Sequence, residues 1–251
     1  MAILADLLQR QAVWRGGAAP VTAAAPALTV PTGYAGLDAE LPGGGWPVGG
    51  LAEVLSYTEG IGELQIVLPA LAALTAAGHR VAWLAPPHLP YAPALRAAGV
   101  RLELLTVIRA PGRRDALWAA EQALRACSFH ALLLWLPQAG YPELRRLAVA
   151  AQAGPGFALA FRPPEAACES SPAVLRLALE AGAGELGTGE PRFPRYPFLA
   201  VHILKRRGLP LAASLPIPVE RPFVKRPAHA LGRTPFPAIP APGIVARACA
   251  A

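Results

Sequence analysis

Residues 51–87 read LAEVLSYTEGIGELQIVLPALAALTAAGHRVAWLAPP, and they contain the pattern on which the fold prediction rests. A short apolar run, 51–55, comes before a glycine turn, and the helical segment that follows ends at Gly78. A second run, 80–87, is apolar and stops at two prolines. Apolar strands that alternate with helices are typical of a parallel sheet with helices on both faces. The stretch therefore predicts the first strand–helix–strand unit of an α/β domain, with a helix kinked at Pro69.

The same alternation continues toward the C-terminus. Its period predicts helices at 93–98, 114–127 and 142–152, and strands at 102–108, 130–136 and 157–161. Residues 174–180 then alternate as a strand with Arg176 and Glu180 on a wetter face, and 198–205 can pair with it as a long-looped hairpin. The predicted fold class is an α/β domain with a mostly parallel central sheet covered by helices.

Three regions follow from this pattern. A short amphipathic N-terminal helix and a linker occupy residues 1–30, and the α/β domain occupies residues 31–209. A basic, proline-rich segment without sustained periodicity occupies residues 210–251, and we interpret it as an extended tail.

Composition excludes several classes of protein. Hydrophobic residues make up 54% of the 251 residues and charged residues only 16%, so the chain can bury a sizeable core. The uncharged stretch 64–78 is shorter than the roughly 20 apolar residues that a membrane-spanning helix needs. The first residues, MAILADLLQRQAVW, lack a basic start and contain Asp6, unlike a signal peptide, so we expect a cytoplasmic protein. The 3 cysteines and 5 histidines lack metal-ligand spacing, and no metal site is predicted.

Positive charge is concentrated near the C-terminus. Residues 192–251 contain ten of the 23 lysines and arginines but one of the 16 acidic residues, and they account for the whole net charge of +7. Such a block indicates attraction to an acidic partner or a polyanion, and a solvated tail is the alternative. Because few aromatics accompany these charges, a protein partner is favoured over a weak DNA contact. The candidate contact residues are Lys205, Arg206, Arg207, Phe223, Lys225, Arg226 and Phe236.

The glycine turn after the first strand lies where α/β proteins bind phosphate, because a helix N-terminus presents free N–H groups there. The phosphate-binding pattern GxxxxGK[ST] needs a lysine at position 63, but the turn, which contains Gly60 and Gly62, continues with Glu63. At ~4 Å and an effective dielectric near 20, this change turns an attraction of about 4 kcal/mol into a repulsion. We therefore predict a degenerate nucleotide site without a cofactor, in which Glu63 interacts with the helix dipole.

The segment before that strand resembles the RecA recombinase family. The residues that match its TGxxxLDxxL and GGxPxG patterns and its first strand are Thr32, Gly33, Leu37, Asp38, Leu41, Gly44, Gly45, Pro47, Gly49 and Glu53. In this resemblance Trp135 stands where the family has a magnesium-binding aspartate, and Pro87 stands where it has the glutamate that activates water. Together with Glu63, three parts of the ATP hydrolysis machinery are missing. The resemblance implies a RecA-like core that is not an enzyme.

Nine short motifs narrow this resemblance. They are VWRG (13–16), LPGGGWP (41–47), GIGEL (60–64), APP (85–87), LWAAEQALR (117–125), LRRL (144–147), FRP (161–163), SPAVLRL (171–177) and ILKRRG (203–208). In this order they resemble the ImuA family, the RecA-like accessory proteins of bacterial mutasomes. The resemblance implies an SOS-induced accessory role in translesion DNA synthesis and damage-induced mutagenesis. The implied partners are an ImuB-like inactive Y-family polymerase, indirectly an error-prone C-family polymerase, and RecA.

The SulA family of cell-division inhibitors is the alternative, because it shares a degenerate RecA-like core and binds the tubulin-like division protein. The long core, the glycine-rich segment at 41–49 and the basic tail favour ImuA, since SulA chains are shorter. An enzyme with an unrecognised site is a third class, but no Ser/His/Asp or Cys/His grouping supports it.

Two arginines on the helix that begins at Pro142 are candidates for a partner contact. The helical period places Leu144 and Leu147 toward the sheet, which leaves Arg145 and Arg146 toward solvent. Exposed arginines are enriched at interface hot spots, so we predict a protein contact there. A merely solvated helix face is the alternative.

Overall fold

The structure is a computed structural model that describes residues 28–56, 60–183, 197–206 and 214–218. The strands are β1 (Thr29–Val30), β2 (Trp46–Pro47), β3 (Leu51–Ser56), β4 (Val81–Leu84), β5 (Leu105–Ile108), β6 (Ala131–Trp135), β7 (Phe157–Arg162), β8 (Leu175–Ala183), β9 (Pro197–Lys205) and β10 (Leu215–Pro218). The α-helices are α1 (Ala35–Glu40), α2 (Leu68–Ala76), α3 (Ala92–Ala97), α4 (Arg113–Arg125) and α5 (Tyr141–Ala151).

Eight strands form one sheet in the order β10–β9–β8–β3–β7–β6–β4–β5. Neighbouring strands from β8 to β5 are parallel, whereas β9 and β10 extend one edge in the antiparallel direction. The predicted α/β class with a mostly parallel sheet is therefore confirmed. Strand β3 is central, between β7 and β8, and its carboxyl end borders the region where α/β proteins commonly bind ligands.

Helices cover both faces of this sheet, which explains why the inner strands β4 and β6 are apolar along their whole length. In β4, Val81 and Trp83 belong to the cluster that includes α2, and Leu84 belongs to the cluster that includes α4 and α5. All four residues of β4 are buried. None of the described helices is long and apolar enough to cross a membrane.

The helix after the glycine turn differs from the prediction of a single helix kinked at Pro69. A 3-10 helix, Glu63–Ile66, comes first, and α2 begins afterwards at Leu68. Pro69 therefore lies in the first turn of α2, where a backbone N–H has no helical partner to lose. The predicted kink is wrong because the helix restarts just before the proline.

The strand predicted at 102–108 is shorter in the structure. Residues Leu102–Leu104 form a 3-10 helix, and only Leu105–Ile108 pair as β5. Among the described strands, it lies at the sheet edge with β4 as its single neighbour. Its four residues pair one for one with Val81–Leu84, so the pairing ends where β4 ends.

The predicted hairpin between residues 174–180 and 198–205 is confirmed, since β8 and β9 pair in the antiparallel direction. The wetter face predicted for β8 is wrong at Arg176, which is only 7% exposed. Its guanidinium contacts the carboxylate of Glu53 on the neighbouring strand, and this ion pair makes the burial of the charge tolerable.

Part of the predicted tail belongs to the sheet. Residues Leu215–Pro218 form β10, which pairs with β9 and buries Ile217 in the core. The extended-tail interpretation is therefore corrected for these four residues. The predicted N-terminal helix and most of the linker and tail lie outside the described residues, and the three-region division stays a prediction.

Candidate functional site

The glycine turn after β3 is closed by the chain's own carboxylate. Gly60 and Gly62 have φ angles of +81° and +98°, which favour glycine. Glu63 begins the 3-10 helix, and its Oε2 accepts a hydrogen bond of 3.1 Å from the backbone N–H of Gly60. A backbone donor of the kind that would meet a phosphate is thus directed at a carboxylate. Residues 57–59 of this turn lie outside the described part of the chain.

Trp135 lies at the carboxyl end of β6 and belongs to an aromatic cluster. Its ring stacks on Phe161, with 4.8 Å between centroids and an interplanar angle of 16°. It also packs at a tilt against Trp83, at 5.5 Å. An indole offers no oxygen ligand to Mg²⁺, which prefers carboxylates and water. The cluster therefore occupies an edge of the sheet where the RecA resemblance would place a magnesium ligand.

Pro87 is exposed in the loop between β4 and α3 and has no group that could activate water. Just before it, Ala85 has a φ of +51°, and its N–H donates to the carbonyl of Ile108 at 2.8 Å. Among the described residues, no group of three or more His, Cys, Asp or Glu side chains could hold a metal ion.

A cleft of about 280 Å³ lies between the start of α4 and the loop after β6. Its lining residues are Ala110, Pro111, Gly112, Arg113, Ala116, Leu117, Trp135, Leu136, Pro137, Gln138 and Ala139. Arg113 has the one ionisable side chain of this lining, and its guanidinium donates to both carboxylate oxygens of Glu143 at 2.7 and 2.6 Å. A lining without a nucleophile or a general base suits binding rather than catalysis.

A buried ion network joins the three central strands. Glu53 on β3 is fully buried, and its carboxylate contacts Arg162 on β7 at 3.2 Å and Arg176 on β8 at 2.6 Å. Arg162 also donates to the carbonyl of Ala139 at 2.7 Å and to Glu169 at 2.9 Å. The network therefore ties the loops that contain Ala139 and Glu169 to the sheet, in addition to joining the three strands. Sequence reasoning singled out Glu53 only as a motif residue, and the signal of its burial is a charge inside the apolar run LAEVL.

The two arginines predicted to contact a partner have different surroundings. Arg145 is exposed on α5. Arg146 forms an ion pair with Glu121 of α4, and Glu121 also pairs with Arg125 at 2.7 Å. The hydrogen bond from Arg146 is the largest influence on Glu121 and holds the pKa of that carboxyl below its ordinary value. Arg146 thus connects two helices, which the sequence did not predict.

The basic candidates near the C-terminus do not converge on one site in the described structure. Lys205 donates from Nζ to the carbonyl of Ser171 at 2.9 Å. Arg206 pairs with Glu40 at 2.8 Å and so ties the end of β9 to α1. The remaining candidates, Arg207, Phe223, Lys225, Arg226 and Phe236, lie outside the described residues.

Comparisons with known proteins give one sequence relative and one solved structure of interest. No protein-family model matches the chain. The cell division inhibitor SulA of Edwardsiella piscicida is 32% identical over 120 residues, which make up 47% of this chain and 71% of that protein. The crystal structure of SulA from Pseudomonas aeruginosa is similar at 27% identity with a TM-score of 0.39, and the match covers 45% of this chain and 97% of that one.

Proposed function

Because the chain belongs to the family of the cell division inhibitor SulA, we propose that it is a non-enzymatic protein of the SOS response that acts by binding another protein. The proposal that it is not an enzyme rests on the glycine turn after β3, where the carboxylate of Glu63 stands at the lysine position of the phosphate-binding pattern. Glu63 places a negative charge where a nucleotide phosphate would need a lysine, and it already accepts the Gly60 N–H. Trp135 and Pro87 supply neither a metal ligand nor a base at the two other positions.

The first candidate for the bound protein is a component of the division machinery. The relative from Edwardsiella piscicida is named as a cell division inhibitor, and the chain spans 71% of that protein. We propose that this chain likewise arrests division after DNA damage, through a contact with the tubulin-like division protein. An inhibitor of this kind needs a binding surface and no catalytic group.

A second candidate is the accessory role in translesion synthesis, with an ImuB-like inactive polymerase as the partner. The specific observation in its favour is the extent of the fold beyond the matched part, since the match to SulA covers only 47% of this chain. The glycine-rich segment before β3 is also built into the structure. Thr32 is fully buried, and its N–H donates to Asp38 at 2.8 Å.

The test of the non-enzymatic proposal is equilibrium dialysis with ATP and Mg²⁺. We expect no retention of ATP at micromolar concentration, because the carboxylate of Glu63 repels the phosphates. The variant Glu63→Lys removes this repulsion, but it should not hydrolyse ATP, since Trp135 and Pro87 still lack the required groups. ATP bound at micromolar concentration by the natural chain, or hydrolysis by Glu63→Lys, would contradict the proposal.

Overexpression in cells distinguishes the two candidates. Filaments that disappear when the division protein is resistant to inhibition would support the division inhibitor. Normal division combined with a changed rate of damage-induced mutation would support the accessory role. A chain truncated after Pro218 keeps all described elements but lacks Phe223, Lys225, Arg226 and Phe236, so it shows in the same assay whether the basic tail contributes.

A further inference from the structure

The outer surface of α4 exposes a tryptophan that the core does not use. Trp118 is 64% exposed, although the same helix buries Ala116, Ala120 and Leu124 against the sheet. Helical geometry places Trp118 on the opposite side from these residues, where Arg114 and Arg125 flank it at spacings of four and seven. A large aromatic side chain between two arginines matches the composition of binding hot spots.

Helix α5 continues this surface beside α4. Val149 is 55% exposed, and Arg145 lies four residues before it on the same side of the helix. Two ion pairs between the helices, Arg113–Glu143 and Arg146–Glu121, hold α4 and α5 side by side. The residues that this two-helix surface presents, here named the α4–α5 face, are Arg114, Trp118, Arg125, Arg145, Arg146 and Val149.

The charge of the α4–α5 face is positive. Of the acidic side chains beside it, Glu121 and Glu143 are already bonded to arginines, and the exposed fraction of Glu121 is only 10%. Asp115, in the first turn of α4, is the one further acidic residue on these two described helices, which contain five arginines, so the balance of charge remains positive. Arg114 and Arg145 are exposed and form no ion pair with another described residue. The face therefore offers free guanidinium groups on both helices, together with the exposed apolar side chains of Trp118 and Val149.

We propose that the α4–α5 face binds an acidic segment of a partner protein, with an apolar side chain of that segment packed against Trp118 and Val149. This inference rests on the proposed function and assigns it a docking surface. The arginines steer and orient the acidic segment, while the buried apolar contact supplies most of the affinity. Single-stranded nucleic acid fits this face less well, because stacking sites interleave several aromatics, whereas Trp118 is the one aromatic among the six residues of this face and Tyr141 lies beyond Arg145 at the start of α5.

The test uses a synthetic amphipathic peptide in which glutamates and leucines repeat at helical spacing, with fluorescence anisotropy of the labelled peptide as the readout. We expect binding that weakens with salt and that falls by about thirtyfold in Trp118→Ala, the loss typical of a hot-spot residue. The double variant Arg114→Glu/Arg145→Glu should abolish binding by charge reversal. Because all three positions are exposed, circular dichroism should show folded variants.

The matched control is Arg96→Glu. Arg96 is exposed on α3, and Leu95 of that helix packs with the core cluster of α2, on the other face of the sheet from α4 and α5. This variant should bind the acidic peptide as the natural chain does. The proposal is overturned if the natural chain fails to bind the acidic peptide, if it binds the equivalent lysine peptide equally, or if Trp118→Ala binds unchanged. Displacement of the acidic peptide by oligothymidylate with higher affinity would also overturn it in favour of a nucleic-acid site.

Cell assays separate this proposal from the proposed function. If the natural chain alters division or mutagenesis and Trp118→Ala does so equally, the α4–α5 face is not the docking surface, while the proposed function stands. If the natural chain alters neither process but binds the acidic peptide through Trp118, the proposed function is wrong and the docking surface stands. Loss of both the cellular effect and peptide binding in Trp118→Ala supports the two together.

Discussion

Among single residues, Glu53 has the largest predicted effect on stability. Its carboxylate is fully buried between Arg162 and Arg176, and it balances two guanidinium groups that are themselves less than 10% exposed. The variant Glu53→Gln keeps the shape but removes the charge, so both arginines stay buried with less compensation. We expect the free energy of unfolding to fall by about 3–5 kcal/mol, measured by urea denaturation.

The control for this prediction is Glu103→Gln, the same chemical change in an exposed ion pair. Glu103 contacts Arg101 at 2.8 Å, and both side chains are more than half exposed. Solvent screens such a pair, so the urea midpoint should hardly move. Equal effects of the two substitutions would show that burial of the Glu53 network does not matter for stability.

A second residue prediction concerns His130, whose ring stacks on His79 with 3.8 Å between centroids. Burial is the main cause that lowers the pKa of His130 below its ordinary value of 6.5, and the neighbouring His79 lowers it further. As the pH falls below 6.5, the unfolded chain binds a proton that the folded chain resists, so the free energy of unfolding should decrease. The variant His130→Phe keeps an aromatic ring in the stack but cannot bind a proton. Its stability, measured as the melting temperature, should therefore fall less steeply as the pH is lowered.

Some pH dependence of stability should remain in His130→Phe, because burial also lowers the pKa of His202, although the neighbouring Glu180 acts to raise it. The control is Leu89→Phe, because Leu89 is exposed in the loop after β4 and has no titratable group. That variant should follow the natural chain from about pH 7.5 to pH 5.5, the range in which an ordinary histidine titrates. A curve for His130→Phe that is as steep as the natural one would contradict the assignment.

Sequence reasoning at this scale identified the side chains at the glycine turn but not their partners. Glu63, Trp135 and Pro87 could be singled out because a known motif prescribes other residues at their positions. The partners of Glu53 lie 109 and 123 residues away along the chain, so only the assembled sheet brings them together. The exposure of Trp118 could not be predicted from the sequence either, because it depends on which face of α4 packs against the sheet.

At the scale of elements, the sharpest test of packing concerns Gly33. This residue precedes α1 and lies against Pro69 at the start of α2. Gly33 has a φ of +89°, and a Cβ atom there would lie 2.4 Å from the Cβ of Pro69. The variant Gly33→Ala thus combines a clash with an unfavourable backbone conformation. We expect it to lower the free energy of unfolding by about 1–3 kcal/mol, measured by chemical denaturation.

The matched control is Gly36→Ala, three positions further along the chain. Gly36 lies inside α1, and a Cβ atom there would meet nothing within 4 Å. Alanine in a helix is favoured over glycine, so this variant should gain about 0.5–1 kcal/mol. If both substitutions change stability in the same direction, the contact between Gly33 and Pro69 does not constrain the fold.

Element types could be predicted from the period of the apolar residues, whereas element ends depended on neighbours. The strands of the parallel core have apolar residues on both faces, and this pattern is distinct in the sequence. The first residues of the strand predicted at 102–108 form a 3-10 helix instead, because β4 offers only four residues for pairing. The helix at Pro69 restarts rather than kinks, since the preceding residues adopt the tighter 3-10 geometry.

In the whole molecule, the sheet combines a parallel core with an antiparallel edge. The ion network of Glu53 joins three central strands, and β9 and β10 extend the sheet beyond β8. The carboxyl edge, where related α/β folds bind nucleotides, is occupied by the carboxylate of Glu63 and by the rings around Trp135. Side chains of the chain itself therefore fill positions that a bound nucleotide takes in such folds.

The last prediction concerns how much of the C-terminal region the fold needs. Strand β10 buries Ile217, which is 2% exposed, and covers the edge of β9. A chain truncated after Leu209 loses these contacts and should be destabilised by about 2 kcal/mol, the value of one buried aliphatic side chain, with β9 left as an open edge. A chain truncated after Pro218 keeps every described element and should melt at the temperature of the full chain. Thermal unfolding followed by circular dichroism distinguishes them, whereas equal melting temperatures would restore the interpretation that the tail begins at residue 210.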